Sequence, residues 1–151
     1  MIAQGMTAPD FTLPRDGGTD LTLSSLRPGK VVLYFYPKDD TPGCTQESCD
    51  FQAALPQLKR RDAVVLGVSI LDEASKSKFA TKHGLTFPLL ADANHEVAEK
   101  YGVWQQKSRY GRSYMGIVRT TYLIGPDGKV VERWDNVKVG GHVDTVAAAI
   151  S

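Results

Sequence analysis

The chain has 151 residues, 42% hydrophobic and 23% charged, with a formal net charge of +1. That length suits one domain with a real core, and the composition excludes a disordered or repetitive chain. The balanced charge gives no reason to expect a nucleic-acid partner, and no apolar run approaches the ~18 residues of a membrane span.

The N-terminal stretch Met1-Ile2-Ala3-Gln4-Gly5 lacks the basic and apolar blocks of a signal peptide, so a cytoplasmic protein is expected. The next elements are Phe11-Thr12-Leu13 and Leu21-Thr22-Leu23 around Asp16-Gly17-Gly18, which read as a small β-hairpin. Val31 to Tyr36 is apolar without polar alternation and is ended by Pro37, as befits a central strand buried on both faces. Ser48, Phe51, Leu55 and Leu58 follow at helical spacing, with Pro56 expected to kink that helix. Val64 to Ile70 is a second apolar strand, so the unit is a right-handed parallel crossover. The cations Lys59-Arg60-Arg61 at the helix end suit its dipole.

A further helix is predicted from Asp72 or Glu73 to His83, closed by Gly84, followed by a short strand from Phe87 to Leu90. Asn94 is the expected cap of a helix carrying Val97, Ala98 and Tyr101. The stretch Ser108 to Gly116 reads as a surface loop that packs through Tyr110, Tyr114 and Met115. Thr120 to Ile124 and Val130 to Trp134 flank Pro126-Asp127-Gly128 and form a tight hairpin. From His142 onward Val143, Val146, Ala147 and Ile150 share one helical face. The sum is a single α/β domain over residues 1–151 with a mixed sheet.

Two cysteines, Cys44 and Cys49, are too few for a secreted disulfide framework and suggest chemistry instead. Cys44 lies where the loop Pro37 to Gly43 leaves the central strand and enters a helix, the place where open α/β sheets gather their sites. A helix N-terminus stabilises a thiolate, which is the nucleophilic form. Cys49 is five residues further on. In an intact helix the two Cα atoms lie roughly 8 to 9 Å apart on nearly opposite faces, and a disulfide tolerates about 7 Å. Joining them requires the first helical turns to unwind. The histidines His83, His95 and His142 fall on separate helices, and neither they nor the cysteines match zinc-ligand spacing. Asp39 and Asp40 read as solvated loop acids. A thiol-disulfide oxidoreductase would place a Cys-x-x-Cys pair at the helix start, where this chain has Thr45-Gln46-Glu47 after Cys44. A redox-sensing module remains open on the two thiols alone.

The pattern Pro37, Thr41 and Cys44 resembles the signature of the peroxiredoxins, and Cys49 in Thr41-Pro42-Gly43-Cys44-Thr45-Gln46-Glu47-Ser48-Cys49 resembles the resolving cysteine of their bacterioferritin comigratory protein branch, also called peroxiredoxin Q. Further matching segments are Ala8-Pro9-Asp10-Phe11, Tyr101-Gly102-Val103-Trp104, Val137-Lys138 and Gly141-His142. The resemblance implies a thioredoxin-like fold with an N-terminal β-hairpin and a peroxidase for hydrogen peroxide and organic hydroperoxides. It also implies no metal or organic cofactor, and thioredoxin or glutaredoxin as reductant. By the same resemblance Arg119 is the active-site arginine, Pro37 shields the thiolate, and Thr41, Gly43, Cys44 and Arg119 hold the peroxide. Both cysteines lie in one chain, so a monomer is expected.

Overall fold

The computed structural model describes residues 1–150. Strands β1 (Thr12–Pro14) and β2 (Asp20–Thr22) pair antiparallel, as the hairpin reading expects, and a 3-10 turn at Leu23–Leu26 leads into β3 (Lys30–Phe35). Helix α1 (Pro42–Lys59) connects β3 to β4 (Ala63–Ser69), then α2 (Glu73–His83) leads to β5 (Leu89–Ala91). The short α3 (Glu96–Lys100) precedes β6 (Trp104–Arg109) and β7 (Arg112–Ile117). Strands β8 (Thr120–Ile124) and β9 (Val130–Trp134) and helix α4 (His142–Ala149) complete the fold.

The main sheet has the order β5-β4-β3-β8-β9, with β3, β4 and β5 parallel and β8 and β9 antiparallel to their neighbours. Because side chains alternate along a strand, β3 supplies two cores. Val32 and Tyr34 face α1, α2 and α4, joining Phe51, Leu55, Phe79 and Val146. Val31, Leu33 and Phe35 face the other side, with Phe11, Leu13, Val97 and Tyr101. The uninterrupted apolar run therefore has the cause expected of it: both faces are covered.

Helix α1 continues through Pro56 to Lys59 as one element. The cations after it serve two helix ends. Arg60 Nε donates to the Pro56 carbonyl, and Arg61 Nη1 donates to the Ala147 and Ile150 carbonyls at 2.8 and 3.0 Å, closing α4.

Three local expectations need correction. The segment expected to be a packed loop is instead an antiparallel ribbon, β6 with β7, turning at Tyr110-Gly111 where both residues have positive φ. It stands apart from the main sheet, with Tyr110 91% exposed. Asn94 is not the principal cap of α3: Asp92, fully buried, accepts from the Val97 and Ala98 amides at 3.2 and 2.8 Å, whereas Asn94 makes a 3.4 Å contact with the Glu96 amide. Asp39 is buried rather than solvated, for a reason that belongs to the site.

Candidate active site

Register brings the site together. β8 runs antiparallel to β3 with Thr120 opposite Phe35, so Arg119, one residue before β8, arrives at the carboxyl end of β3. The same end launches the loop that carries Pro37, Thr41 and Gly43 into α1, and Cys44 is the third residue of that helix.

Cys44 is a free thiol with 1% exposure. Arg119 Nη2 lies 3.4 Å from its sulfur, and Arg119 Nη1 donates to Glu47 Oε1 at 2.7 Å. One guanidinium thus bridges a thiol and a carboxyl on the same helix face, three residues apart. The missing side chain at Gly43 makes this possible, since a Cβ there would sit 3.2 Å from Arg119 Nη2. No acidic side chain occupies the first turn of α1, so nothing there offsets the positive end of the helix dipole. The first helical hydrogen bond is Thr45 N–H to the Thr41 carbonyl at 2.8 Å, which leaves the Gly43 and Cys44 amides ahead of the helical ladder. The Thr41 hydroxyl donates to the Lys38 carbonyl at 2.9 Å, leaving its lone pairs to accept.

Three features of the site lie outside the sequence reading. Glu47 is fully buried, and burial pushes its carboxyl up to about 7 against the opposing pull of Arg119. Its Oε2 has no hydrogen-bond partner among the described residues. Burial disfavours charge on Arg119 too, but Glu47 and Cys44 more than offset that and hold it ionised. The signal for Glu47 was available: an acid one turn after a helix-start cysteine shares its face.

Next, Asp39 accepts from Lys76 Nζ on both carboxylate oxygens at 3.1 and 3.0 Å, from Tyr36 Oη and from Ser75 Oγ. Lys76 is fully buried and also meets Ser69 Oγ. Burial lowers the Lys76 ammonium below its ordinary value while Asp39 pulls it back. The loop bearing the site is thereby bound to α2 and β4. Asp40 does stay exposed, with Lys82 and His83 at 2.7 and 2.9 Å.

Third, His142 is buried at the start of α4 in contact with Thr121 Oγ1 at 2.8 Å; burial, then the Arg119 charge, press its pKa down to about 4. The other histidines keep to helix ends: His83 closes α2, and His95 stacks on Trp104 before α3.

Cys49 lies on the same continuous helix, also as a free thiol, and burial followed by the Asp50 charge raises its pKa. Beside it Ser48 Oγ meets Tyr34 Oη at 2.7 Å in the core. No cluster of metal-ligating side chains occurs among the described residues.

A buried thiol at a helix start, under a guanidinium and at the carboxyl end of a central strand, defines a thiol-based redox enzyme on a thioredoxin-type fold. The AhpC/TSA family model matches residues 4–133. The putative peroxiredoxin bcp of Coxiella burnetii is 47% identical over 149 residues, covering 99% of each chain, and peroxiredoxin Bcp of Bacillus subtilis is 45% identical over 142 residues, covering 94% of this chain and 90% of its own. Among solved structures, the Xanthomonas campestris bacterioferritin comigratory protein, described for its alkyl peroxide reduction activity, superposes with a TM-score of 0.91 at 40% identity over 99% of this chain and 96% of that one. A Xylella fastidiosa PrxQ mutant gives 0.93 at 39% identity, covering 98% and 94%. The chain belongs to the AhpC/TSA family and is a peroxiredoxin of the Bcp, or peroxiredoxin Q, kind, hence a peroxidase.

Proposed function

We propose that the chain, acting as one domain, reduces hydrogen peroxide and organic hydroperoxides through Cys44. The observation that carries this reading is the Arg119 guanidinium 3.4 Å from the sulfur of the buried Cys44. The thiolate attacks one peroxide oxygen, the O–O bond breaks, and the departing hydroxide or alkoxide takes up a proton, leaving Cys44 as a sulfenic acid. Arg119 and the Gly43 and Cys44 amides hold the peroxide and the charge that develops on the leaving oxygen. Thr41 accepts from the peroxide O–H, and Pro37 keeps bulk water from the sulfur.

The Cys49 thiol then displaces water from the sulfenic acid and forms the Cys44–Cys49 disulfide, which a dithiol protein such as thioredoxin, or glutaredoxin, reduces with two electrons. This second step requires the first turns of α1 to open, with loss of the Arg119–Glu47 and Tyr34–Ser48 contacts. All the thiol chemistry lies within one chain, which suits a monomer, and no helix of residues 1–150 is long and apolar enough to cross a membrane.

The test is stopped-flow mixing of reduced protein with one equivalent of hydrogen peroxide, followed by thiol counting. Both thiols disappear within seconds in the wild type and return with thioredoxin. Cys44→Ser removes the reaction, and Cys49→Ser permits the first oxidation without an internal disulfide. Persistence of both thiols in the wild type would sink the proposal.

A further inference from the structure

The ribbon β6–β7 has a cationic face that the chemistry at Cys44 leaves unexplained. Of the chain's 18 Lys and Arg, four fall within residues 104–119, a stretch that holds none of its 17 Asp and Glu. The rest of the molecule is therefore net negative. Strand pairing sharpens the asymmetry. Lys107 pairs with Tyr114, and Arg109 pairs with Arg112 two positions on, so three of the four cations, Lys107, Arg109 and Arg112, project with Tyr114 from one side of the ribbon, the fourth being Arg119 of the site. Gly116 lets that face close up, since a Cβ there would sit 3.1 Å from Lys107 Cδ and 3.5 Å from a Tyr114 ring carbon.

Two like charges directly opposite each other destabilise a strand pair. Here the opposed pair is Arg109 with Arg112, and neither forms an ion pair with a carboxylate among the described residues; Arg109 lies instead 5.2 Å from the Tyr110 ring centroid. An anionic surface laid on the ribbon relieves that repulsion. The face is also continuous with the site, because Gln105, Lys107, Val118 and Arg119 line one recess of about 400 Å³. Tyr110, Tyr114 and Met115 are 91, 45 and 50% exposed on the same ribbon, supplying the aromatic and thioether contacts that protein interfaces favour.

We infer that the face formed by Lys107, Arg109, Arg112 and Tyr114 is the docking surface for the protein reductant, and that this reductant presents an acidic surface around its dithiol. The inference rests on the proposed disulfide cycle, which requires one protein to reach this side of the molecule. Charge complementarity there raises the rate of encounter more than the strength of the complex.

The experiment compares reduction of the oxidised protein by thioredoxin and by dithiothreitol, in the wild type and in the Arg109→Glu/Arg112→Glu variant. The expected result is a fall of about tenfold or more in the second-order rate with thioredoxin at low salt, with the dithiothreitol rate unchanged within about twofold. Raising salt to about 0.5 M slows the wild type towards the variant. Equal thioredoxin rates in the two proteins, or a parallel loss with dithiothreitol, overturn the inference while leaving the peroxidase cycle standing. A wild type that dithiothreitol reduces and thioredoxin does not overturns the inference together with the reductant reading. Wild-type self-association that the double variant abolishes assigns the face to a second copy of the chain and likewise overturns it.

Discussion

The two segments that meet at Cys44 differ in how fully they are held. Upstream, the loop from Pro37 to Thr41 is tied to α2 and β4 by the buried Asp39–Lys76 pair, with hydroxyl support from Tyr36, Ser69 and Ser75. Downstream, the first turns of α1 are held by one ion pair, Arg119 to Glu47, whose second carboxyl oxygen has no hydrogen-bond partner among the described residues, and by the Tyr34–Ser48 hydrogen bond. A charged pair inside a protein costs several kcal/mol per ion to desolvate, and it resists removal of either partner because the other is then left buried and alone. A neutral hydrogen bond such as Tyr34 to Ser48 contributes about 1 kcal/mol, and one made by a charged group, as Arg119 to Glu47, about 1.5 to 3. The lesson is positional: the frame is fixed immediately before the nucleophile, and the part proposed to open begins immediately after it.

The largest effect expected from breaking this contrast comes from Lys76→Met, which strands Asp39 in the core. Urea denaturation should show a loss of about 3 to 5 kcal/mol. A loss below about 1 kcal/mol would mean that the loop is held by something else. Arg119→Ala comes next, acting on chemistry rather than on the frame. Peroxide reduction should slow by about a hundredfold or more while the circular dichroism spectrum persists. A variant within threefold of the wild type removes Arg119 from the mechanism.

A subtler probe exploits the proton on Glu47. In the closed helix its carboxyl keeps a proton up to about pH 7, whereas a solvent-exposed glutamate loses it above about pH 4.3. Opening α1 therefore releases a proton between those values, and rising pH favours opening by up to about tenfold per unit. In stopped-flow runs from pH 5 to 8, the rate of disulfide formation in the wild type divided by that in Glu47→Gln should climb to about pH 7 and then level. The Cys49 ionisation common to both proteins cancels in that ratio. A flat ratio would show that Glu47 stays in place while the thiols join.

The smallest effect belongs to Gly43→Ala. The added methyl meets Arg119 Nη2 at 3.2 Å, and peroxide reduction should slow by roughly tenfold or less. Ala is the better helix former, so thermal stability should not fall with it. Unaltered kinetics would show that Arg119 shifts aside without consequence.

Much of this architecture can be read from the chain. The doubly buried strands announce themselves by unbroken apolar runs, and the Pro126-Asp127-Gly128 turn and the Gly84 helix end follow from local chemistry. The β6–β7 ribbon escapes such reading because it buries neither face well, so no alternation of apolar and polar residues marks it, and its turn uses Tyr110-Gly111 instead of the usual Asn-Gly. At the site, Cys44 and Arg119 are 75 positions apart and meet through the β3–β8 register. Only resemblance paired them from sequence. Buried Asp39 and Lys76 are less legible still, since a charged side chain enters a core when its partner is there, and that partner came from α2.

The 1% exposure of Cys44 has a consequence for the order of events. A sulfur that deep is out of reach of a protein thiol while the helix stays closed, so in the proposed cycle the reductant is kept from the reduced nucleophile. In that proposed cycle, opening of α1 and joining of the two sulfurs would reverse the exclusion, because the peroxide would have no thiolate left to attack and the dithiol would reach the disulfide. On the proposed cycle the helix would work as a turnstile: each conformation would accept only the reactant whose turn it is, with no separate gate to enforce the sequence.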